Sequence, residues 1–196
     1  MAVKDTFVSG SIDTGVAFIA DADHEDLPDD ATSELEESIA AGNLGVLSDS
    51  GLSIGETRTS TDFKDFDQSN YITVQTEYNG QFQFTLYDVD LESVKKMLHG
   101  DENVTYTEAT TAAGTTYQID HKATPLPLKS FVFWTRSGDK RERQVVKYAR
   151  VTEIGERVKH AGTPDMVQVT IKATKDEDGL FFTTYGDDGV KLTENP

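Results

Sequence analysis

The four histidines are the residues best suited to metal binding or acid-base chemistry, and they are widely separated in the sequence. No second ligand stands at helix or strand spacing from any of them, so the pattern favours surface or helix-end positions over a zinc site. These residues are His24, His99, His121 and His160.

An acidic run that begins at Asp21, DADHEDLPDDAT, resembles the spacing of an EF-hand calcium loop. The sixth position, which should be glycine, is Asp26, and the twelfth, which should be glutamate, is Thr32, so the match fails. The runs DEDG (176–179) and GDDG (186–189) are compatible with a weak surface ion or with ordinary turns.

Enzymatic chemistry finds little support in the sequence. Cysteine is absent, which excludes disulfides, thiolate metal sites and a cysteine nucleophile. The glycines form neither GxGxxG nor GxxxxGK, and no carboxylate stands in an apolar strand that would raise its pKa. We therefore expect neither an enzyme nor a cofactor.

Length and charge set the protein class. A chain of 196 residues fits one domain large enough to bury a core. Its net charge of -17 argues against a nucleic-acid-binding surface, since phosphates are bound by Lys and Arg. The apolar run GVAFIA (15–20) is too short for a signal peptide, and no segment approaches the length of a membrane helix.

The stretch YITVQTEYNGQFQFTLYDVDLESVKKMLHG (71–100) has the clearest periodicity. Two alternating segments predict strands joined by a three-residue loop at 79–81, because a two-residue turn would place their apolar residues on opposite faces. Asp90 is the expected N-cap of a helix over 91–99, with Gly100 as its stop. The helix stripe consists of Leu91, Val94, Met97 and Leu98.

The remaining chain reads as short strands and loops in a single domain over 1–196. An N-terminal arm (1–42) contains an edge strand and a short helix, with a capping box at Ser33 and Glu36. The polar run 52–69 lacks a clean period and predicts a long loop, followed by a core over 70–185 and a tail over 186–196. Further predictions are a polar hairpin around 113–114, a strong hairpin over 130–151 with its turn at 137–140, and a strand over 166–174.

Charge is polarised along the chain, with acid in the N-terminal third and base between Lys122 and Lys159. A basic run of this kind is usually a solvated strand face. The split also suits an acidic segment that docks on the basic face of a neighbouring copy, which is a self-association hypothesis.

Three stretches together resemble the major tail proteins, or tail tube proteins, of long non-contractile-tailed bacteriophages (siphophages). DLPDDATSELEESIAAGNLGVLSDSGL is similar to the family's N-terminal pattern, although Val46 and Leu47 replace its usual aromatic pair. STDFKDFDQSNYITVQTEYNGQFQFTLYDVDLESVKKMLHGDENVTYT resembles its loop, hairpin and helix. PLKSFVFWTRSGDKRERQVVKYARVTEIGE resembles its second hairpin.

The resemblance implies a mainly β fold, an antiparallel β-sandwich or barrel of the tail tube type with one flanking α-helix and long inter-subunit loops and arms. It implies hexameric rings stacked into a hollow tube in the virion, assembled in the bacterial host cytoplasm. The implied partners are further copies of the chain and the tape measure, distal tail and tail terminator proteins. DNA would pass through the lumen without specific binding, and no membrane is involved.

Within this family, the polar face of the first hairpin would line the lumen and its apolar face would contact the core. The lumen set is Thr73, Gln75, Glu77, Gln83 and Thr85, and the core set is Ile72, Val74, Tyr78, Phe82, Phe84 and Leu86. The expected inter-subunit and inter-ring residues are Asp21, Asp23, Glu25, Asp26, Arg58, Lys64, Arg136, Lys140, Arg141, Arg143, Lys147 and Arg150. Two alternatives stay open: another tube-fold virion protein, such as a tail terminator or connector, and a sugar- or calcium-binding β-sandwich module.

Overall fold

The structure, a computed structural model, describes residues 6–12 and 15–191. Parts of the predicted N-terminal arm (1–42) and C-terminal tail (186–196) therefore lie outside the described residues. The strands are β1 (Ala17–Asp21), β2 (Leu47–Lys64), β3 (Asn70–Leu86), β4 (Val104–Thr107), β5 (Thr116–Ile119), β6 (Lys129–Ser137), β7 (Lys140–Ile154), β8 (Val167–Ala173) and β9 (Thr183–Asp187). The helices are α1 (Glu37–Ala40), α2 (Glu92–His99) and a 3-10 turn over Asp101–Asn103.

One seven-stranded sheet dominates the fold. Its order is β1-β6-β7-β8-β3-β2, β9 pairs with the first part of β7, and the pairs are antiparallel. The strands β4 and β5 form a separate antiparallel hairpin. This arrangement confirms the predicted mainly β, antiparallel fold with few helices.

The core lies between one face of this sheet and helix α2. Phe82 stacks on Phe133 with ring centroids 5.1 Å apart, and Phe84 meets the same ring edge-on at 5.5 Å. Burial of each such side chain contributes about 1.5–3 kcal/mol. The helix covers them with Val94, Met97 and Leu98, which are buried in the same cluster.

Helix α2 matches the predicted span closely but begins differently. Its N-cap is Leu91, which is exposed rather than part of the buried stripe, and no side chain caps the helix. The Asp90 carboxylate instead lies 3.2 Å from Nζ of buried Lys95, so the predicted Asp90 cap is wrong. Gly100 ends the helix at φ 87°, a conformation that favours glycine.

The strand β3 runs without interruption from Asn70 to Leu86, so the predicted hairpin with its loop at 79–81 is wrong. The alternation of Tyr78, Phe82 and Phe84 continues in phase through Gly80, and a continuous strand satisfies it as well as a three-residue loop does. Gly80 serves close packing, because an added Cβ would lie 3.3 Å from a ring carbon of Phe182.

The predicted long loop over 52–69 is also wrong. Most of it belongs to β2, which pairs with β3, and the actual turn spans 65–69. The Asp65 carboxylate closes this turn by accepting hydrogen bonds from the backbone N–H groups of Asp67 and Ser69, at 3.0 and 2.8 Å. β2 is rich in threonine, which favours strands through its β-branched side chain although it adds no apolar period.

The other predicted strands are confirmed. β6 and β7 form the second hairpin with its turn at Ser137–Lys140, and β4 and β5 flank the predicted polar turn. In β8, alternate residues are buried as expected. β1 lies at an edge of the sheet.

The short helix α1 follows the acidic segment, but the predicted capping box is wrong, since its N-cap is Glu36 and no side chain caps it. Ser33 instead contacts Arg143, as described below. Ile39 is buried with Phe18 and Val132, and Leu35 packs against the same cluster.

Candidate assembly surfaces

A two-stranded arm, defined here as residues 55–79, extends β2 and β3 beyond the rest of the sheet. The strand β8 pairs with β3 only over Gln81–Leu86, so within residues 6–12 and 15–191 no third strand pairs with the arm. All residues from 55 to 77 are exposed. A two-stranded ribbon is marginally stable on its own in water, so this element gains most from a partner.

The arm contains a β-bulge at Thr76. Thr59 pairs with Glu77 and Ser60 pairs with Gln75, which leaves Thr76 as the extra residue. Side chains alternate along a strand, so this extra residue in β3 reverses the faces of residues 72–75 relative to the root, and a second irregularity follows between Phe63 and Lys64.

The bulge places an apolar stripe on the face of the arm opposite to the core. Thr61 pairs with Val74, and Phe63 pairs with Ile72. Thr61 and Phe63 are an odd number of residues from Ile54, the partner of buried Phe82, and β2 is regular between Ile54 and Thr61. The stripe is exposed, with Phe63 at 53%, Ile72 at 49% and Val74 at 41%.

The opposite face of the outer arm is polar and internally hydrogen-bonded. Thr73 donates its hydroxyl to the Asp62 carboxylate at 2.6 Å and accepts from the Asn70 side chain at 3.2 Å. These contacts follow from the pairing of Thr73 with Asp62. The outer arm is therefore amphipathic in the opposite sense to the root.

This reversal corrects both predicted faces. Ile72 and Val74 are exposed and lie on the face opposite to the core, whereas Phe82, Phe84 and Leu86 are buried as expected. The predicted lumen set is divided by the bulge, because Thr73 and Gln75 lie on one face, while Glu77, Gln83 and Thr85 lie on the other.

The root of the arm is fixed to the body by Tyr78. Its ring lies 4.5 Å from that of Phe181, centroid to centroid. The guanidinium carbon of Arg58 lies over the Tyr78 ring, 4.9 Å from its centroid. Its hydroxyl donates to Glu56 at 2.9 Å. Burial first, and then this hydrogen bond, raise the pKa of Tyr78. Arg58, expected between subunits, thus contacts its own chain.

Arg143 is buried inside its own chain and is unavailable to a neighbouring copy, which corrects its predicted role. Its side chain is fully buried, and its guanidinium donates to the carbonyl oxygens of Asp30 and Ser33 at 2.9 and 2.6 Å. The Trp134 indole N–H donates to the carbonyl of Ala31 at 2.9 Å. The acidic segment therefore docks on the basic strand of the same molecule.

The Asp30 carboxylate organises this docked segment. It accepts the backbone N–H groups of Thr32 and Ser33, each at 2.7 Å. Hydrogen bonding to the Ser33 backbone is the main cause that holds the pKa of Asp30 below its usual value, and Arg143 adds a smaller effect. Arg141 reaches the same segment through the carbonyl of Thr32 at 3.0 Å, but it is exposed.

Other charged residues of the predicted inter-subunit set also contact their own chain. Asp21 pairs with Lys129 at 2.8 Å, Lys147 lies 3.7 Å from Asp176, and Asp26 accepts the Ser38 hydroxyl at 2.6 Å. The backbone N–H of Asp23 donates to Ser130. The remaining members lie at the surface, with Lys140 partly covered: Glu25, Lys64, Arg136, Lys140 and Arg150.

Three further exposed apolar residues lie at the end of the sheet away from the arm, and we call Val46, Ile154 and Met166 the far-end group. Their exposed fractions are 60%, 41% and 39%. The strand register places them there, because β8 begins beside Met166 and pairs Val167 with Leu86, the end of β3 farthest from the arm. Sequence periodicity missed this group, since its members stand on three separate segments.

The acidic turns considered for calcium use their carboxylates internally. Asp176 accepts N–H groups from Asp178 and Leu180, and Asp187 accepts from Gly189. Among residues 6–12 and 15–191, no three His, Asp or Glu side chains come close enough together to hold a metal ion. Within the same ranges, no helix is long and apolar enough to cross a membrane.

Comparison with solved structures gives a distant structural similarity. No family model and no curated protein matches the sequence. Among solved structures, the chain is similar to the anti-feeding prophage cap, a tube-terminating cap determined by cryo-EM, with 12% identity and a TM-score of 0.44. The match covers 95% of this chain and 100% of that chain.

Proposed function

We propose that the chain is a structural subunit of a phage tail tube, in which copies assemble head to tail through the arm. The observation that carries the proposal is the exposed apolar stripe of Phe63, Ile72 and Val74 on a ribbon with no third strand. Contiguous apolar surface of this kind marks an interaction site in a soluble protein. The sequence resemblance to tail tube proteins supports the same function.

The far-end group supports a second copy as the partner of the arm. The stripe and the far-end group are two sets of exposed apolar residues at opposite ends of the sheet. Contact between two different surfaces of identical chains is heterologous, and it produces rings or open filaments rather than closed dimers. Such contacts bury both sets of residues in every copy except the two at the ends of an open filament.

Open strand edges also favour assembly. Within the described residues, β2 pairs only with β3, and β1 pairs only with β6 among the named strands. Unpaired edges are templates for pairing with another chain. Stacked hexameric rings would pair or cover these edges.

The negative charge suits passage of DNA through a tube. A net charge of -17 on every copy repels phosphate from the wall rather than binding it. The proposed role is therefore a non-enzymatic conduit of the virion, built in the host cytoplasm. Its proposed partners are other copies and the tape measure, distal tail and terminator proteins.

Sedimentation velocity of an arm-shortened variant tests this function. Residues 60–76 are replaced by an Asn-Gly turn, which joins the paired residues Thr59 and Glu77 and retains the Tyr78 contact. The wild type should form large species as its concentration rises, while the variant stays monomeric with an unchanged unfolding transition. A variant that assembles as readily as the wild type would contradict the proposal.

A further inference from the structure

The apolar residues of the β2–β3 strand pair change from one face of the sheet to the other at Thr76. On the body side of the bulge, the apolar residues of β3 face helix α2, as Phe82 and Phe84 do. Beyond the bulge, Val74 and Ile72 lie on the other face with Thr61 and Phe63. One strand pair thus buries one face in its own core and exposes apolar residues on the opposite face.

The bulge is what gathers the stripe on one side. Without the extra residue, Thr61 would pair with Gln75, and Phe63 would pair with Thr73. Phe63 would then lie on one face of the arm, while Ile72 and Val74 lay on the other. The observed register unites all three and leaves the opposite face to the hydrogen-bonded Asp62, Asn70 and Thr73.

We propose that a second copy of the chain engages the arm from the face opposite to the core, the side on which the bulge at Thr76 gathers the stripe. This inference rests on the proposed function. The far-end group of that second copy supplies the apolar counterpart. On the core side, the outer arm presents Asp62 and Thr73, which hydrogen-bond to each other, and the root of the arm is covered at Tyr78 by Phe181.

Engineered cysteines test the register directly, because the chain has no cysteine of its own. The pair Thr61→Cys with Val74→Cys lies directly across the ladder and should oxidise to an intramolecular disulfide. The matched pair Thr61→Cys with Gln75→Cys points to opposite faces and should stay reduced at low concentration. The reverse result would overturn the bulge, whether or not the protein assembles.

Two one-residue changes distinguish the effect on assembly of the side that the stripe faces from the effect of the bulge itself. Deletion of Thr76 makes the ladder regular between Ile54 and Phe63 and keeps the stripe opposite to the core. Insertion of one serine between Thr59 and Ser60 also makes it regular, but it rotates Phe63, Ile72 and Val74 together to the core side. Both changes lie in the exposed arm, so both chains should unfold like the wild type.

Assembly measured by sedimentation velocity then decides the inference. The deletion variant should assemble within about threefold of the wild-type concentration threshold, and the insertion variant should need at least about tenfold more protein. Equal assembly by both variants, or failure of both while folded, would overturn the inference. A wild type that never assembles would instead remove the proposed function, and the cysteine pairs would still report the register.

Discussion

The guanidinium carbon of Arg143 lies 4.0 Å from the centre of the Trp134 ring, and together they hold the segment 30–33 on strand β7. Breaking a buried, hydrogen-bonded ion pair by removing one partner lowers the free energy of unfolding by several kcal/mol. The acidic N-terminal segment and the basic strand β7 therefore contact each other within one molecule.

Replacement of Arg143 by alanine should therefore destabilise the free subunit. We expect a loss of about 3 kcal/mol in the free energy of unfolding, because the bonds to Asp30 and Ser33 and the contact with Trp134 all disappear. Urea denaturation measures the change. The matched control is Arg141→Ala, an exposed arginine with a bond to Thr32, which should cost less than about 1 kcal/mol. Equal costs would contradict this account of the buried arginine.

Truncation of two phenylalanines in the same strand pair should have very different effects on monomer stability. Phe82 is fully buried between Phe133 and Phe182, so Phe82→Ala should cost about 3–5 kcal/mol. Phe63 is half exposed on the arm, so Phe63→Ala should change monomer stability by less than about 0.5 kcal/mol. Thermal or chemical unfolding of dilute protein makes the comparison. A large loss for Phe63→Ala would mean that the stripe packs within its own chain.

The stability of the subunit should depend on pH through His99. Burial, and then the neighbouring His121 ring at 4.9 Å, lower the pKa of His99 below 6.5. The unfolded chain then binds the proton more readily, so this stabilisation is present above about pH 6.5 and is lost as the pH falls.

The variant His99→Asn should flatten the decline in unfolding free energy between about pH 7 and 5.5 relative to the wild type. Chemical denaturation at several pH values provides the measurement. An unchanged slope in His99→Asn would assign the pH dependence to other groups.

Polar substitutions on the stripe should block assembly without unfolding the subunit. The double variant Ile72→Ser with Val74→Ser removes apolar surface that is already exposed, so the unfolding transition should shift little. Its threshold concentration for assembly should rise at least about tenfold. The matched double variant Thr73→Ser with Gln75→Ser changes the opposite face and should assemble normally. Loss of assembly in both would show that the face does not matter.

Sequence patterns predicted the elements that alternate against a buried face. In β8, Val167, Val169 and Ile171 face the core, and the β6–β7 hairpin places its turn at Gly138 and Asp139. These segments satisfy local preference and burial in one chain, so period and turn chemistry suffice to locate them.

The arm escaped prediction for a physical reason. Its strand β2 is exposed over most of its length, so burial imposes no apolar period there, and threonines were the remaining indication of a strand. The bulge at Thr76 depends on how two strands pair, which no single strand records. Arg143 illustrates the same limit, because its partners at Asp30 and Ser33 are distant in the sequence.

Electron microscopy of the purified wild-type protein in negative stain, at low and high concentration, tests self-assembly most directly. The account predicts six-fold rings or hollow tubes that become abundant at high concentration, and their loss in the Ile72→Ser, Val74→Ser variant. Single-copy particles from the wild type at every concentration would contradict it.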